Sequence, residues 1–318
     1  MRVLALSGGV GGAKLCEGLA AELTSGNLTV LVNTADDFTH LGLSICPDID
    51  TVLYTLSGRA SKSRGWGLSG ETWQAMDALA ELGGESWFRL GDRDLATHLL
   101  RSEELAAGAS LSEVTLLLAE RMGIDARILP MSDDAVRTVV QSNEGDLPFQ
   151  DYFVRRQCEP EVTGFRFEGL AEATLNPGLR AQLSREPPDL VLICPSNPFV
   201  SVDPILQVDD CWRLLGELSA PVIAVSPIVA GLAIKGPAAK MMAELSMPVS
   251  AGAVLKHYTS RYPGLLDGFV IDESDATLLP NLQTPGIQVA VEATIMKDRE
   301  QKRHLARRCL ALAKSAAT

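Results

Sequence analysis

Four glycines within five positions close a short apolar run near the start of the chain, and this constrains the fold more than any other feature. The stretch reads MRVLALSGGVGGAKLCEGLAAEL. Val3–Leu6 has the length and composition of a buried strand. Ala13–Leu23 repeats its leucines at 15, 19 and 23, a helical spacing. Leu28–Val32 (LTVLV) is a second strand. Strand, glycine turn, helix and strand form a right-handed βαβ unit of a parallel sheet. Later apolar runs repeat the theme at Ile128–Leu129, Leu190–Cys194, Val222–Val225, Gly268–Ile271 and Ile287–Val291, with helical stretches such as Trp212–Leu218 and Ala238–Leu245 between them. The alternation predicts an α/β fold with a doubly wound, mostly parallel, Rossmann-like sheet.

Residues 42–172 break this rhythm. Asp50–Leu56, Thr72–Leu82, Leu95–Leu105 and Leu111–Arg121 read as helices. VRTVVQSNEGDLPFQDYFVRR and VTGFRFEGL alternate like antiparallel strands, with a turn at Asn143–Gly145. The region is expected to be a helical and β-hairpin insertion capping the carboxyl edge of the sheet, within a single α/β domain over 1–318. No repeat or long linker supports a two-domain division.

The 28 basic and 40 acidic residues give a formal charge of −12. Such a surface argues against polymeric nucleic acid and anionic membranes as partners. It leaves room for a small anion held by backbone N–H groups, a few cations and a metal. Six cysteines without C-x-x-C pairs and four scattered histidines do not make a zinc site or a disulfide framework. Together with the absence of a basic leader and of a long apolar segment, they predict a soluble cytoplasmic protein.

Gly8, Gly9, Gly11 and Gly12 let a ligand approach the backbone, and the following helix offers unpaired N–H groups to an anion. A bare strand–helix turn is the plain alternative. Ala13-Lys14-Leu15 does not match the Gly-Lys-Ser/Thr of a Walker loop, and Lys14 stands where a dinucleotide fingerprint needs a small residue. A lysine there favours a nucleoside diphosphate over a nicotinamide cofactor. Asn33, Thr34, Asp36 and Asp37 follow the second strand, at the edge where ligands bind. Asp48-x-Asp50 then offers either an Mg²⁺ site completed by water and phosphate oxygens, or an N-cap and a turn residue.

Six other features have both a plain and a functional reading. Gly91-Asp92-Arg93-Asp94 contains a possible cap and, in Arg93, a phosphate contact. His98 lies one turn after Asp94 and is structural or a general base. Ser132 and Asp133 stand after a strand that stops at Pro130, as helix caps or as contacts to nucleotide or metal. Ser196 and Asn197 sit in a proline-stiffened turn after the strand LVLIC, within reach of guanine or phosphate. Ser226-Pro227 and Lys235-Gly236-Pro237 bracket a loop at a helix start, where Lys235 would meet the carboxylate or phosphate of a transferred acid. Trp66 and Trp73 are candidates to stack on a flat ring, or core residues.

SGGVGGAKL, VNTADD, PDIDTVLYTL, LGDRDLATH, LPMSDD, PSNPFVS and VSPIV…IKGPAAKMM occur in this order. In these motifs, and along nearly its whole length, the chain resembles the 2-phospho-L-lactate transferase (CofD) family. The resemblance implies transfer of a phospho-carboxylic acid (2-phospholactate, phosphoenolpyruvate or 3-phosphoglycerate) from its guanosine diphosphate anhydride to the deazaflavin alcohol Fo. GMP leaves, and F420-0 or its dehydro form results. Mg²⁺ as cofactor, Asp50 and Arg89 as Fo contacts and a homodimer are implied in the same way. On that reading Asp48 and Asp50 hold the metal, with Asp50 alternatively acting on the hydroxyl; Gly8–Gly12, Lys14, Asn33, Thr34, Ser196 and Asn197 hold the nucleotide. The rival readings are a nucleotide-sugar-binding regulator that shares the glycine loop and NTADD, and an NAD-dependent oxidoreductase, against which Lys14 argues.

Overall fold

The computed structural model describes residues 1–62, 64–234 and 236–316. Seven parallel strands make the central sheet: β1 (Val3–Ser7), β2 (Leu28–Val32), β3 (Arg127–Pro130), β4 (Leu190–Ile193), β5 (Val222–Val225), β6 (Gly268–Asp272) and β7 (Gln288–Glu292). Their spatial order is β7-β6-β5-β4-β1-β2-β3. Val3 pairs with Leu28 on one side and Leu190 on the other, so the order reverses between β1 and β4. That reversal opens a crevice at the strand carboxyl ends.

Alternation along each strand feeds two cores, as a parallel sheet covered on both faces requires. Leu4, Leu6, Val191, Ile193, Phe269 and Ile271 pack on one face. Val3, Ala5, Val30, Leu192, Ile223 and Val270 pack on the other. The second core is closed by α1 (Gly9–Glu22) and by a C-terminal helix, Arg299–Ala316, that the sequence patterning did not identify. These helices touch closely: a Cβ on Gly18 would lie 2.2 Å from the Lys302 carbonyl oxygen. Glu17 accepts from Lys302, and Glu22 from Arg303 and Arg307, so charge on the helix follows its partner rather than solvent alone.

The helices of the predicted insertion are α2 (Pro47–Leu56), α3 (Gln74–Glu81), α4 (Asp92–Ala106) and α5 (Leu111–Arg121). Two start earlier than the apolar periodicity suggests. Pro47, pre-set for a first helical turn, opens α2, so Asp48 and Asp50 lie inside a helix rather than in a loop. The α4 helix gains a turn because the Glu71 carboxylate accepts the N–H groups of Arg93 and Asp94 from outside. The antiparallel sheet of Arg137–Ser142, Gly145–Pro148 and Val162–Glu168 is present. FQDYFVRR is not part of it: Asp151–Arg155 forms a π-helical turn, with Phe149 and Phe153 stacked 5.5 Å apart at a helical spacing of four. Between these pieces β3 belongs to the central sheet, so the segment 42–172 is two excursions flanking a core strand. Among the described residues, all six cysteines are free thiols. No described helix is long and apolar enough to cross a membrane.

Candidate functional site

A cleft of about 780 Å³ lies at the carboxyl ends of the central strands, lined by the glycine loop, the start of α2, the turn after β4 and the two excursions. Its volume lies in the range of small-molecule sites.

At one end the main chain does the work. Gly9 takes φ +65°, a region closed to most side chains. A Cβ on Gly11 would lie 2.2 Å from the Pro195 carbonyl oxygen, and one on Gly8 2.4 Å from Ser201 Cβ. The glycines therefore let β1, the turn after β4 and the Pro198–Val202 turn approach one another. Gly8, the N-cap of α1, offers no side-chain cap, and the first-turn N–H of Gly9 is taken by the Asp48 carboxylate rather than by a cap. Gly8 N–H donates to Ser196 Oγ at 3.0 Å. Gly8, Gly9, Gly11, Lys14, Ser196 and Asn197 all line the cleft. Gly12 lies behind it against Ser7 and Ser196.

Carboxylates form the floor. Asp36, Asp48 and Asp50 line the cleft and each is at least nine-tenths buried. Residues two apart on a helix point in nearly opposite directions, and so Asp48 and Asp50 part company. Asp48 turns to the glycine loop, accepting from Asn33 Nδ2 at 3.0 Å and from the Gly9 N–H. Burial pushes its carboxyl up to about 6, against those two hydrogen bonds. Asp36 is raised well above the ordinary carboxylate range, by burial and then by the Asp48 charge. Its Oδ1 has no hydrogen-bond partner. Two buried carboxylates that repel each other, one with an orphaned oxygen, fit a hard cation better than they fit their own company. Among the described residues, no group of three or more His, Cys, Asp or Glu is arranged to hold a metal alone. Mg²⁺ here would need water or ligand oxygens to complete its shell.

Asp50 instead receives a guanidinium. Arg101, wholly buried on α4, donates from Nη1 to Asp50 Oδ2 at 3.1 Å and from Nη2 to Oδ1. Arg101 Nη1 also lies 3.3 Å from His98 Nδ1. His98 Nε2 is 3.3 Å from Asp94 Oδ1, which accepts the Tyr54 hydroxyl at 2.5 Å. Burial alone would raise the Asp94 carboxyl; contacts to His98, Tyr54 and Arg101 more than offset it and hold the group below its usual range. Asp50, Tyr54, Asp94 and His98 face the cleft, with Arg101 behind them.

The far end is aromatic. Trp66, Trp87, Phe88, Phe149 and Phe153 line it, with Arg89 at the rim. Trp66 is 48% exposed although its neighbours are large, and Arg64 sits over its ring at 5.5 Å. Trp73 lies under Arg64 and Arg89 instead, 6.0 Å from Trp66, outside the cleft lining. Flat apolar walls edged by arginines suit a planar heterocycle.

The predicted site residues divide accordingly. Asn33 is wholly buried, bridging Asp48 and the Val200 carbonyl, and its Oδ1 accepts the Ala35 N–H: it supports the floor from behind. Thr34 is buried with its hydroxyl unpartnered. Ser132 and Asp133 are not at the cleft. Ser132 Oγ donates to the Thr174 carbonyl at 2.6 Å, and Asp133 accepts the Ser112 N–H at the start of α5. Arg93 is exposed, held by the Ser69 carbonyl, and likewise does not line the cleft. Lys235 lies outside the described residues; Ser226, Pro227, Gly236 and Pro237 around it line the cleft. Sequence patterning missed Arg101, Tyr54, Trp87 and Phe88. Only the helical spacing of His98 from Asp94 pointed toward that cluster.

Comparison with known proteins agrees in length and in kind. A family model described as 2-phospho-L-lactate transferase CofD matches residues 3–308. A phosphoenolpyruvate transferase of Streptomyces griseus is 38% identical, over 98% of this chain and 98% of its own. A 2-phospho-L-lactate transferase of Methanosarcina acetivorans is 40% identical, over 96% of each chain. Among solved structures, a UPF0052-family protein from Bacillus halodurans matches with a TM-score of 0.63 at 15% identity, covering 97% of this chain and 98% of that one. The last likeness is one of fold.

Proposed function

Because the chain belongs to the 2-phospho-L-lactate transferase CofD family and is a transferase of that type, we propose that it moves a phospho-carboxylic acid from a guanosine diphosphate anhydride to the hydroxyl of the deazaflavin Fo. The observation that carries this reading is the two-ended cleft: a capless helix start with glycine amides at one end, aromatic walls at the other, and acid groups between. A nucleotide diphosphate suits the first end and a flat deazaflavin the second. Their reacting groups then meet over Asp36, Asp48 and Asp50.

Transfer of this kind depends on positioning and charge neutralisation more than on covalent catalysis. The Fo oxygen forms a bond to the phosphorus that bears the acid, the bond from that phosphorus to the GMP oxygen breaks, and the hydroxyl proton leaves to the departing GMP phosphate or to water. Main-chain N–H groups at the start of α1 and Lys14 take up negative charge on the diphosphate. Asp50 receives the hydroxyl as a hydrogen bond and orients it. Asp36 and Asp48 would hold Mg²⁺, whose chemistry is to neutralise the diphosphate and the departing phosphate. The pairing of Asp50 with Arg101 makes this division of labour more economical than a metal shared by Asp48 and Asp50.

The acid is 2-phospholactate, phosphoenolpyruvate or 3-phosphoglycerate; curated relatives of the first two kinds match this chain almost equally well. The test is to incubate the protein with Fo, Mg²⁺ and each guanylylated acid in turn, following GMP by chromatography and the product by mass. One acid should release GMP in step with a product of Fo mass plus the phospho-acid. Tight nucleotide binding with no GMP from any of the three would remove the transferase reading in favour of a binding protein.

A further inference from the structure

We propose that Arg101 is a positioning residue for this transfer: it fixes Asp50 as the hydrogen-bond acceptor of the attacking hydroxyl and keeps that carboxylate away from the metal. The inference rests on the reading of the cleft given above. Arg101 touches no part of the cleft, being 0% exposed behind it. Its two Nη groups each engage one oxygen of Asp50, a fork that fixes the carboxylate plane. Nη1 also faces the Ser44 carbonyl at 3.3 Å, so the guanidinium is anchored to the backbone as well.

The same nitrogen orders His98. The two N–H groups of Nη1 face three acceptors, Asp50 Oδ2, the Ser44 carbonyl and His98 Nδ1, so the imidazole is packed against the guanidinium at 3.3 Å. Its Nε2 lies 3.3 Å from Asp94 Oδ1, the oxygen that accepts the Tyr54 hydroxyl. Asp50, His98, Asp94 and Tyr54 all front the cleft, and their orientations are tied through one buried cation. A carboxylate held on both oxygens by a guanidinium is a poor chelator, but each oxygen keeps a lone pair for one further hydrogen bond. That is what an orienting acceptor needs. Stability alone does not call for the pair, since well-packed apolar residues of similar volume often replace a buried ion pair at no cost.

A double-mutant cycle separates positioning from support. GMP release is measured for wild type, Asp50→Asn, Arg101→Gln and the double variant, with GDP–Mg²⁺ affinity by calorimetry on the same samples. Arg101→Gln should lower kcat about 100-fold, comparable to loss of a strong oriented hydrogen bond, while GDP affinity stays within about twofold. Arg101→Lys, with the charge but not the fork, should recover only part of the rate. The double variant should be no slower than Asp50→Asn alone, because the arginine then has nothing left to position. Losses that multiply, or an Arg101→Gln variant with undiminished kcat, overturn the proposal. Should Arg101→Gln not fold, the cycle is closed with Arg101→Lys under the same criterion. Wild-type protein that releases no GMP refutes the transferase reading itself, which is a different result from multiplicative losses in an active enzyme.

Discussion

At one end of the cleft, main-chain groups of Gly8–Gly12 and Pro195–Asn197 meet where the strand order reverses; at the other, side chains from α2, α4 and two loops gather around Asp50 and the tryptophans. The first end is made by backbone geometry. Its shape depends on what is missing, the Cβ atoms of glycine. The second is made by side chains far apart in sequence, such as Asp50 and Arg101, and depends on ionic and aromatic contacts that only the packed fold creates. The contrast predicts that the glycine end tolerates almost no added atoms, whereas the aromatic end loses function in steps.

The sharpest break is Gly11→Ala. The new methyl would lie 2.2 Å from the Pro195 carbonyl oxygen, and both partners are backbone, so neither yields easily. Overpacking of this kind costs up to about 3 kcal/mol, and at 1.4 kcal/mol per tenfold GDP affinity should fall about 100-fold when titrated calorimetrically. Unchanged GDP affinity in a folded variant would mean that the nucleotide phosphates do not use this loop. The matching change at the other end is milder. Trp87→Ala removes one aromatic wall, and stacking on a base-like ring is worth about 1–3 kcal/mol. KM for Fo should rise about tenfold with KM for the guanylylated acid unmoved. A rise in both would place the two substrates at one end and dissolve the comparison.

The same contrast explains what the sequence revealed. The βαβ start, the parallel strands and the glycine loop are local patterns, and the structure keeps them: β2 and β5 match their predicted bounds, and α5 does too. The sequence marks Asp48 and Asp50 as chemical residues, but their sharing of a metal rests on a loop spacing. Once Pro47 starts a helix there, the two point apart. Ser132 and Asp133 show the converse: a strand-end position is favourable for ligands, yet Thr174 and the α5 start claim them first. Arg101 could not have been found, because an arginine in mid-helix reads as a solvated face until the fold buries it. The C-terminal helix is hidden in the sequence for a related reason. Its many charges mask the apolar stripe of Leu305, Cys309 and Leu312 that seats it on the sheet.

Where the two ends meet, buried acid should leave a mark on stability, and this is the smallest of the expected effects. Asp37, beside Asp36 but not lining the cleft, is pushed up to about 8, chiefly by burial, with Asp50 adding to the rise and Cys46, Arg137 and Arg101 opposing it. Its unfolded value is 3.8. Between those pH values the folded protein keeps a proton that the unfolded chain releases, so rising pH favours unfolding. The stabilising proton is fully present below pH 3.8 and its contribution declines as pH climbs toward 8, flattening above it. In the presence of EDTA, the melting temperature of wild type should fall across pH 5–8 by several degrees more than that of Asp37→Asn, whose amide does not titrate. The difference between the two curves isolates Asp37 from Asp36 and Asp48, which titrate in both proteins. Parallel curves would show that Asp37 ionises freely in the fold, and that the junction between the two ends is wetter than its burial implies.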